Sequence, residues 1–203
     1  MSLFKVIIYD CDGVLIDSRE ANTAFYNRIL DRFGLAPLTP GQLAAVQVLT
    51  ATAAIDYLFQ GHPERQRAQA YQRHVDNEPF LPLLRLEPHI RGVLVRLRRS
   101  HFTAIATNRG KSLALVLERL GLAGLFDLTV SSYDVLHPKP HPECLRKILE
   151  HFHTGPGQAL YIGDSSLDQE VAARAGVPFA AYKNPGLTAP YYLADHRELL
   201  DIL

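Results

Sequence analysis

The sequence predicts an α/β fold: a Rossmann-like, doubly wound parallel sheet with a small all-helical cap domain inserted into it. Three observations carry this reading. The run Val6-Ile7-Ile8-Tyr9 is apolar at every position and ends in Asp10-Cys11-Asp12-Gly13, as a strand buried on both faces in a parallel sheet does. From about residue 89 onward, apolar strands alternate with helices, the pattern of right-handed βαβ crossovers. Between these parts, residues 17–88 carry helical periodicity and no strand. The expected division is therefore 1–16 with 89–203 as the α/β core and 17–88 as the cap. An insertion just after the first strand is expected to lie as a lid above the carboxyl edge of the sheet, where open α/β sheets bind ligands.

The elements follow in order. Ala21, Phe25, Ile29 and Phe33 recur at i+4 and predict a helix over about 19–33, ended by Gly34. Thr39-Pro40 offers an N-cap with proline at the first helical position, starting a helix that runs towards Phe59. Gly61-His62-Pro63 breaks it, a polar helix follows over about 64–76, and Pro79, Pro82 and Pro88 punctuate the exit. In the second half Ile90, Val93, Leu94 and Leu97 mark an amphipathic helix. Phe102–Thr107 is a strand, Leu113–Leu120 a helix, and Leu128–Ser132 a strand. Pro138-Lys139-Pro140 is a stiff loop before a helix with Pro142 near its start. Ala159–Ile162 is a strand, Leu167–Ala175 a helix stopped by Gly176, Phe179–Tyr182 the last strand and His196–Leu203 a terminal helix.

Composition narrows the function classes. Lys+Arg and Asp+Glu both number 21, so the total charge implies no basic face for nucleic acid. Hydrophobic residues make up 47%, enough for a core, and no apolar run approaches the ~20 residues of a bilayer span. Cys11 and Cys144 form neither a CxxC nor a disulfide framework, and no signal peptide precedes the first strand, so a cytoplasmic setting is expected. No zinc spacing, GxGxxG after the first strand or GxxxxGK[ST] occurs.

Polar residues fall at successive strand ends, and in a parallel sheet those ends share one edge. In an extended chain Asp10 and Asp12 face one site while Cys11 faces away. Asp10 suits a nucleophile towards phosphorus, and Asp12 a general acid for the leaving alcohol and then a base for water. Asp164 can share Mg²⁺ with Asp10, a hard cation that takes oxygen ligands. Asp168, one helical turn further on, can face the same ion or its waters. Thr107 and Lys139 can hold the transferring phosphoryl oxygens, and Lys139 also compensates the clustered carboxylates. Taken singly, each residue has a plainer role: Thr107 a β-branched strand end, Asn108 a turn residue tying loops together, Lys139 a solvated loop lysine, Asp164 and Ser165 a helix cap. Their coincidence in order at successive strand ends outweighs those roles.

The combination Asp10-Cys11-Asp12-Gly13-Val14-Leu15, Thr107-Asn108, Lys139-Pro140 and Gly163-Asp164 with Asp168 resembles the haloacid dehalogenase superfamily, in its phosphatase branch with a small helical cap. The resemblance spans nearly the whole chain. It implies that Asp10 is the nucleophile and Asp12 the acid/base, with Asp10, the backbone carbonyl of Asp12 and Asp164 around Mg²⁺. The aspartate at position 12 separates phosphate-ester chemistry from the dehalogenases and phosphonate hydrolases of the superfamily. The sequence is similar to phosphoglycolate phosphatase, sugar-phosphate phosphatases and β-phosphoglucomutase, so a small phosphorylated metabolite is the expected partner, with no nucleic acid and no membrane. Val14 replaces a threonine often found there, and the stretch Val48–Thr52 lacks the glycine of a specificity loop. Asn108 and Arg109 are candidate substrate-binding residues, with Asn22, Thr50, His137 and His141 as further contacts. A phosphosugar mutase on the same core, a phosphoryl-accepting signalling domain and a phospho-metabolite-binding pseudo-enzyme are the competing functions.

Overall fold

Every residue of β1 (Val6–Tyr9) is buried, as an apolar run without a polar face requires. The computed structural model describes residues 3–203. After β1 come β2 (Ile16–Asp17), α1 (Arg19–Arg32), α2 (Pro40–Val48), α3 (Ala51–Leu58), α4 (Arg65–His74), β3 (Arg85–Leu86), α5 (Ile90–Leu97), β4 (Phe102–Ala106) and α6 (Leu113–Arg119). Then follow β5 (Leu128–Val130), α7 (Glu143–His151), β6 (Ala159–Gly163), α8 (Ser166–Ala175), β7 (Phe179–Tyr182), β8 (Tyr191–Leu193) and α9 (Leu199–Ile202). The chain forms two units, Asp17–Arg85 and the remainder on either side of it.

The α/β unit is a six-stranded sheet in the order β5-β4-β1-β6-β7-β8, parallel at every pairing. The chain winds outward from β1 through β4 and β5, then returns to its other side through β6, β7 and β8. Strand order therefore reverses at β1, which puts a topological switch point at the carboxyl end of that strand. Alternation assigns the faces. Val6, Ile8, Ala104, Ala106, Ala159 and Tyr161 pack with Leu145 and Ile148 of α7 and Val171 and Ala172 of α8. Ile7, Tyr9, Ile105, Leu160 and Ile162 are equally buried on the opposite face, where α5 meets β4. Burying side chains of this size contributes about 1.5–3 kcal/mol each.

The helical unit has its own core. Tyr26, Ile29 and Leu30 of α1 pack with Val46, Ala54, Ile55, Phe59, Ala68 and Val75. Phe33 meets Phe59 and Phe25 meets Phe80 edge-on, both at 5.5 Å between ring centroids, an arrangement that adds ~0.5–1.5 kcal/mol beyond burial.

Four details differ from the sequence expectations. The helix expected over 40–59 is two helices, because Leu49 and Thr50 are extended and the Thr50 hydroxyl accepts from Ala53 N to start α3. The helical unit ends at Arg85 instead of 88, because Arg85–Leu86 is extended and pairs with Ile16–Asp17 as a two-stranded ribbon. Phe179–Tyr182 is followed by a further edge strand, β8, whose three residues are too few to show alternation. The terminal helix opens as a 3₁₀ turn over His196–Glu198, with the Asp195 side chain accepting from Arg197 N.

His196 is fully buried. Its ring stacks on Tyr182 at 4.2 Å, and Nε2 lies 2.8 Å from the Val14 carbonyl, so the neutral ring donates there. Burial pushes its pKa down to about 4 from 6.5. Between those values the unfolded chain takes up a proton that the folded chain refuses, so this group makes stability fall as pH falls. Urea unfolding of the wild type and of His196→Gln is expected to show their stability difference shrinking by roughly 1–3 kcal/mol from pH 7 to pH 4. A difference that stays constant across this range would remove His196 as the cause.

Candidate active site

Strand register builds the site. Tyr9 pairs with Ile105 and Ile162, so Asp10 continues level with Ala106 and Gly163, and Thr107 and Asp164 follow one residue later. Asp10 N donates to Ile162 O at 2.9 Å, and Thr107 N to Val130 O at 3.0 Å. The sheet ladder thus runs up to the first site residues and fixes their backbone. The chain then turns back on itself, with Gly13 at φ +81° and its N–H on the Ile16 carbonyl at 2.8 Å. A Cβ on Gly13 would stand 2.0 Å from Asp164 Oδ2, and one on Gly163 2.3 Å from Asp168 Cβ. Only glycine allows these two approaches.

Asp10, Asp164 and Asp168 each bring one carboxylate oxygen within 4.8 Å of the others. Burial raises the Asp10 pKa to about 7, opposed by Lys139 and reinforced by Asp168 and Asp12. Burial likewise raises Asp164 to about 8, with Asp10 and Asp168 adding to the effect. Lys139 Nζ lies 3.0 Å from Asp10 Oδ1 but off the hydrogen-bond direction, so that buried oxygen has no donor. An all-oxygen cluster with an orphaned carboxylate oxygen fits a hard divalent cation.

Lys139 is buried, with Nζ 2.7 Å from Asp168 Oδ1 and 2.9 Å from the Tyr161 hydroxyl. Burial opposes its charge, but Asp10 and Asp168 outweigh burial and raise its pKa. Asp168 is fully buried, and both its oxygens are engaged. Oδ1 accepts from Lys139 and from Tyr161 at 2.7 Å, and Oδ2 from Ser165 Oγ at 2.5 Å and Ser165 N at 3.2 Å. Burial would raise its carboxyl, yet Lys139, Ser165 and Tyr161 hold it below the usual range. Asn108 is spent on the same loop: its Nδ2 donates to Lys139 O at 3.2 Å and its Oδ1 accepts from Lys139 N at 3.1 Å. The Lys139–Pro140 peptide is cis.

Arg109 pairs with Asp12: Nε donates to Oδ2 at 2.9 Å and Nη2 to Oδ1 at 2.5 Å. Its backbone N–H donates to Thr107 Oγ1 at 3.1 Å. The structure thus brings Asp10, Asp164, Asp168 and Lys139 into one cluster and Asp12 and Arg109 into one ion pair, with Thr107 buried at the end of β4. The further expected contacts have these partners. Asn22 bonds Ser18 and Gln47, Thr50 caps α3, and His137 and His141 meet each other edge-on at 4.8 Å. The Cys11 thiol is buried, which pushes its pKa well up and makes it a poor nucleophile. Tyr161 was not among the expected residues. Its parity in β6 marks it as core, and its hydroxyl three residues before Asp164 is the available signal.

Residues 7–182 match the family model of haloacid dehalogenase-like hydrolases. A phosphoglycolate phosphatase of Rhodobacter capsulatus is 32% identical, over 87% of this chain and 83% of that protein. The crystal structure of a haloacid dehalogenase-superfamily hydrolase from Geobacter sulfurreducens is 38% identical with TM-score 0.81, covering 100% of this chain and 97% of that one. β-Phosphoglucomutase from Clostridium difficile shares the fold, at 16% identity and TM-score 0.81 over 97% of this chain and 93% of that one. Among the described residues no helix is long and apolar enough to cross a membrane.

The raised Asp164 pKa has a stability consequence. Between pH 4 and about 8 the unfolded chain ionises this group before the folded chain does, so metal-free stability falls as pH rises. Asp164→Asn is therefore expected to stabilise the EDTA-treated protein at pH 8 by about 1 kcal/mol or more, and to abolish the rise in Tm on adding Mg²⁺. A variant that is less stable without metal, or that keeps the full Mg²⁺ shift, would contradict this account of the cluster.

Proposed function

Because the chain belongs to the haloacid dehalogenase-like hydrolases and is a phosphatase of that family, we propose that it hydrolyses a small phosphomonoester through an aspartyl-phosphate on Asp10, with Mg²⁺ as cofactor. The observation that carries the reading is the buried cluster of Asp10, Asp164 and Asp168 around Lys139. Three carboxylates against one ammonium leave two negative charges, which a divalent cation offsets. Asp10 and Asp164 would hold the ion, with the Asp12 carbonyl as a further oxygen. Asp168, whose oxygens are already engaged, lends its charge to the cluster and anchors Lys139. The bound ion supplies a positive charge that draws the phosphate and the Asp10 carboxylate together.

The protein's own groups then do the following. An Asp10 oxygen attacks phosphorus, and the bond to the leaving oxygen breaks. Asp12 gives that oxygen a proton, and the alcohol departs. Asp12 next takes a proton from water, whose oxygen attacks phosphorus and releases phosphate from Asp10. Lys139 and the Thr107 hydroxyl face the phosphoryl oxygens and offset the charge that builds on them. Asn108 keeps the Lys139 loop in place by bonding both sides of its main chain.

Phosphate release from a panel of small phosphomonoesters is expected to require Mg²⁺, to stop with EDTA, and to fall at least ~10³-fold in Asp10→Asn while the fold is kept. Full activity in EDTA or in Asp10→Asn would overturn the mechanism.

A further inference from the structure

The proposed acid/base, Asp12, is not ready to act. Both of its carboxylate oxygens face the Arg109 guanidinium, at 2.9 and 2.5 Å. The pair is largely shielded, with Asp12 14% and Arg109 12% exposed at the side chain. A group that hands a proton to a leaving oxygen and later takes one from water must present an oxygen to each. In this arrangement both oxygens are engaged by the guanidinium, which holds the carboxylate in one orientation.

The geometry also says what releases it. The edge of the guanidinium that grips Asp12 is Nε–Nη2, a planar fork that matches a carboxylate. The remaining nitrogen, Nη1, donates to Ser112 Oγ at 3.0 Å, and the Arg109 backbone is tied to Thr107 Oγ1. Arg109 is thus anchored independently of Asp12, beside the proposed phosphoryl site. An incoming carboxylate can take over the fork while Arg109 stays where it is.

We propose that Arg109 is an exchangeable latch on Asp12: the fork that holds Asp12 in the free site passes to the carboxylate of a bound phosphorylated hydroxy acid, and the exchange releases Asp12 for proton transfer. This rests on the phosphatase reading above and narrows it. The fork grips the very group that must reach the ester oxygen, so a carboxylate that replaces Asp12 there belongs to a short acid, with its charge close to that oxygen. A phosphomonoester of the same size without a carboxylate binds at Asp10 but leaves the latch closed. Arg109 is on this account a specificity-determining residue that rewards the second charge twice, in binding and in release of Asp12.

The test compares phosphoglycolate with ethyl phosphate in the wild type and in Arg109→Gln, with Mg²⁺. The wild type is expected to prefer phosphoglycolate at least tenfold in kcat/KM. In Arg109→Gln the value for phosphoglycolate is expected to fall tenfold or more, while that for ethyl phosphate rises several-fold because Asp12 is no longer held. Opposite movements of the two substrates are the signature. A parallel fall of both would mean that Arg109 only supports the structure, and the latch would be rejected. Arg109→Lys keeps the charge but not the fork; it carries the same expected directions should the glutamine variant fail to fold. Calorimetry in the Asp10→Asn background reads the exchange without turnover. There phosphoglycolate is expected to bind at least tenfold tighter than ethyl phosphate, and Arg109→Gln to erase the difference. If the wild type releases phosphate from no ester, the phosphatase reading falls, but equal binding of the two ligands in Asp10→Asn is what rejects the latch.

Discussion

The ion pair that the rest of the α/β unit is arranged around is Lys139 with Asp10 and Asp168. Taking any one of these groups out of water costs several kcal/mol after relaxation, and each makes sense only beside the others. Asp168 can be fully buried because Lys139, Tyr161 and both donors of Ser165 fill its oxygens. Lys139 can be buried because two carboxylates lie within 3.0 Å of it. Asp10 alone is left short: its buried Oδ1 has the Lys139 charge at 3.0 Å but no hydrogen bond of good geometry. Satisfaction is thus concentrated on the two supporting residues, and the deficit sits on Asp10. Such local sacrifice of stability is common at functional sites.

The fold makes this arrangement possible without long loops. The central strand is flanked by β4 on one side and β6 on the other, and matched registers deliver Thr107 and Asp164 to either side of Asp10. The fourth contribution, Lys139, comes from a loop, and a loop needs bracing. Asn108 supplies it from the end of β4 by holding the Lys139 peptide on both sides. Asn108 is thus a strut between a strand end and a loop, as a turn residue tying loops together would be.

Much of this was legible in the sequence, and the rest was hidden for identifiable reasons. The buried strands were visible because Val6–Tyr9 and Ala159–Ile162 have no polar face. Asp10, Asp164 and Lys139 were visible because they punctuate strand ends in order. The break at Leu49–Thr50 was missed because helical periodicity carries across it, although Thr50 is a capping residue in its own right. β8 was missed because three residues on a sheet edge give no period. The Tyr161 ring is core and only its hydroxyl joins the carboxylate cluster, which strand pattern alone does not distinguish. The pairing of Arg109 with Asp12 joins residues 97 apart in sequence, which local pattern does not reveal. For β8, Tyr161 and Arg109 the missing information was a tertiary contact; at Thr50 it was a local cap.

The pairing of β2 with β3 bears on how such a chain diversifies. The residue at which the α/β unit is left, Ile16, and the one at which it resumes, Leu86, belong to adjoining strands of one small ribbon. The closure entropy of everything between them is set by that ribbon and grows only slowly with the length enclosed. The helical unit brings its own hydrophobic core. An intervening segment can therefore be lengthened, shortened or exchanged as a cassette, while the buried cluster of Asp10, Asp164, Asp168 and Lys139, which lies outside it, inherits no strain from the change. The two units are thereby free to evolve at different rates within a single polypeptide.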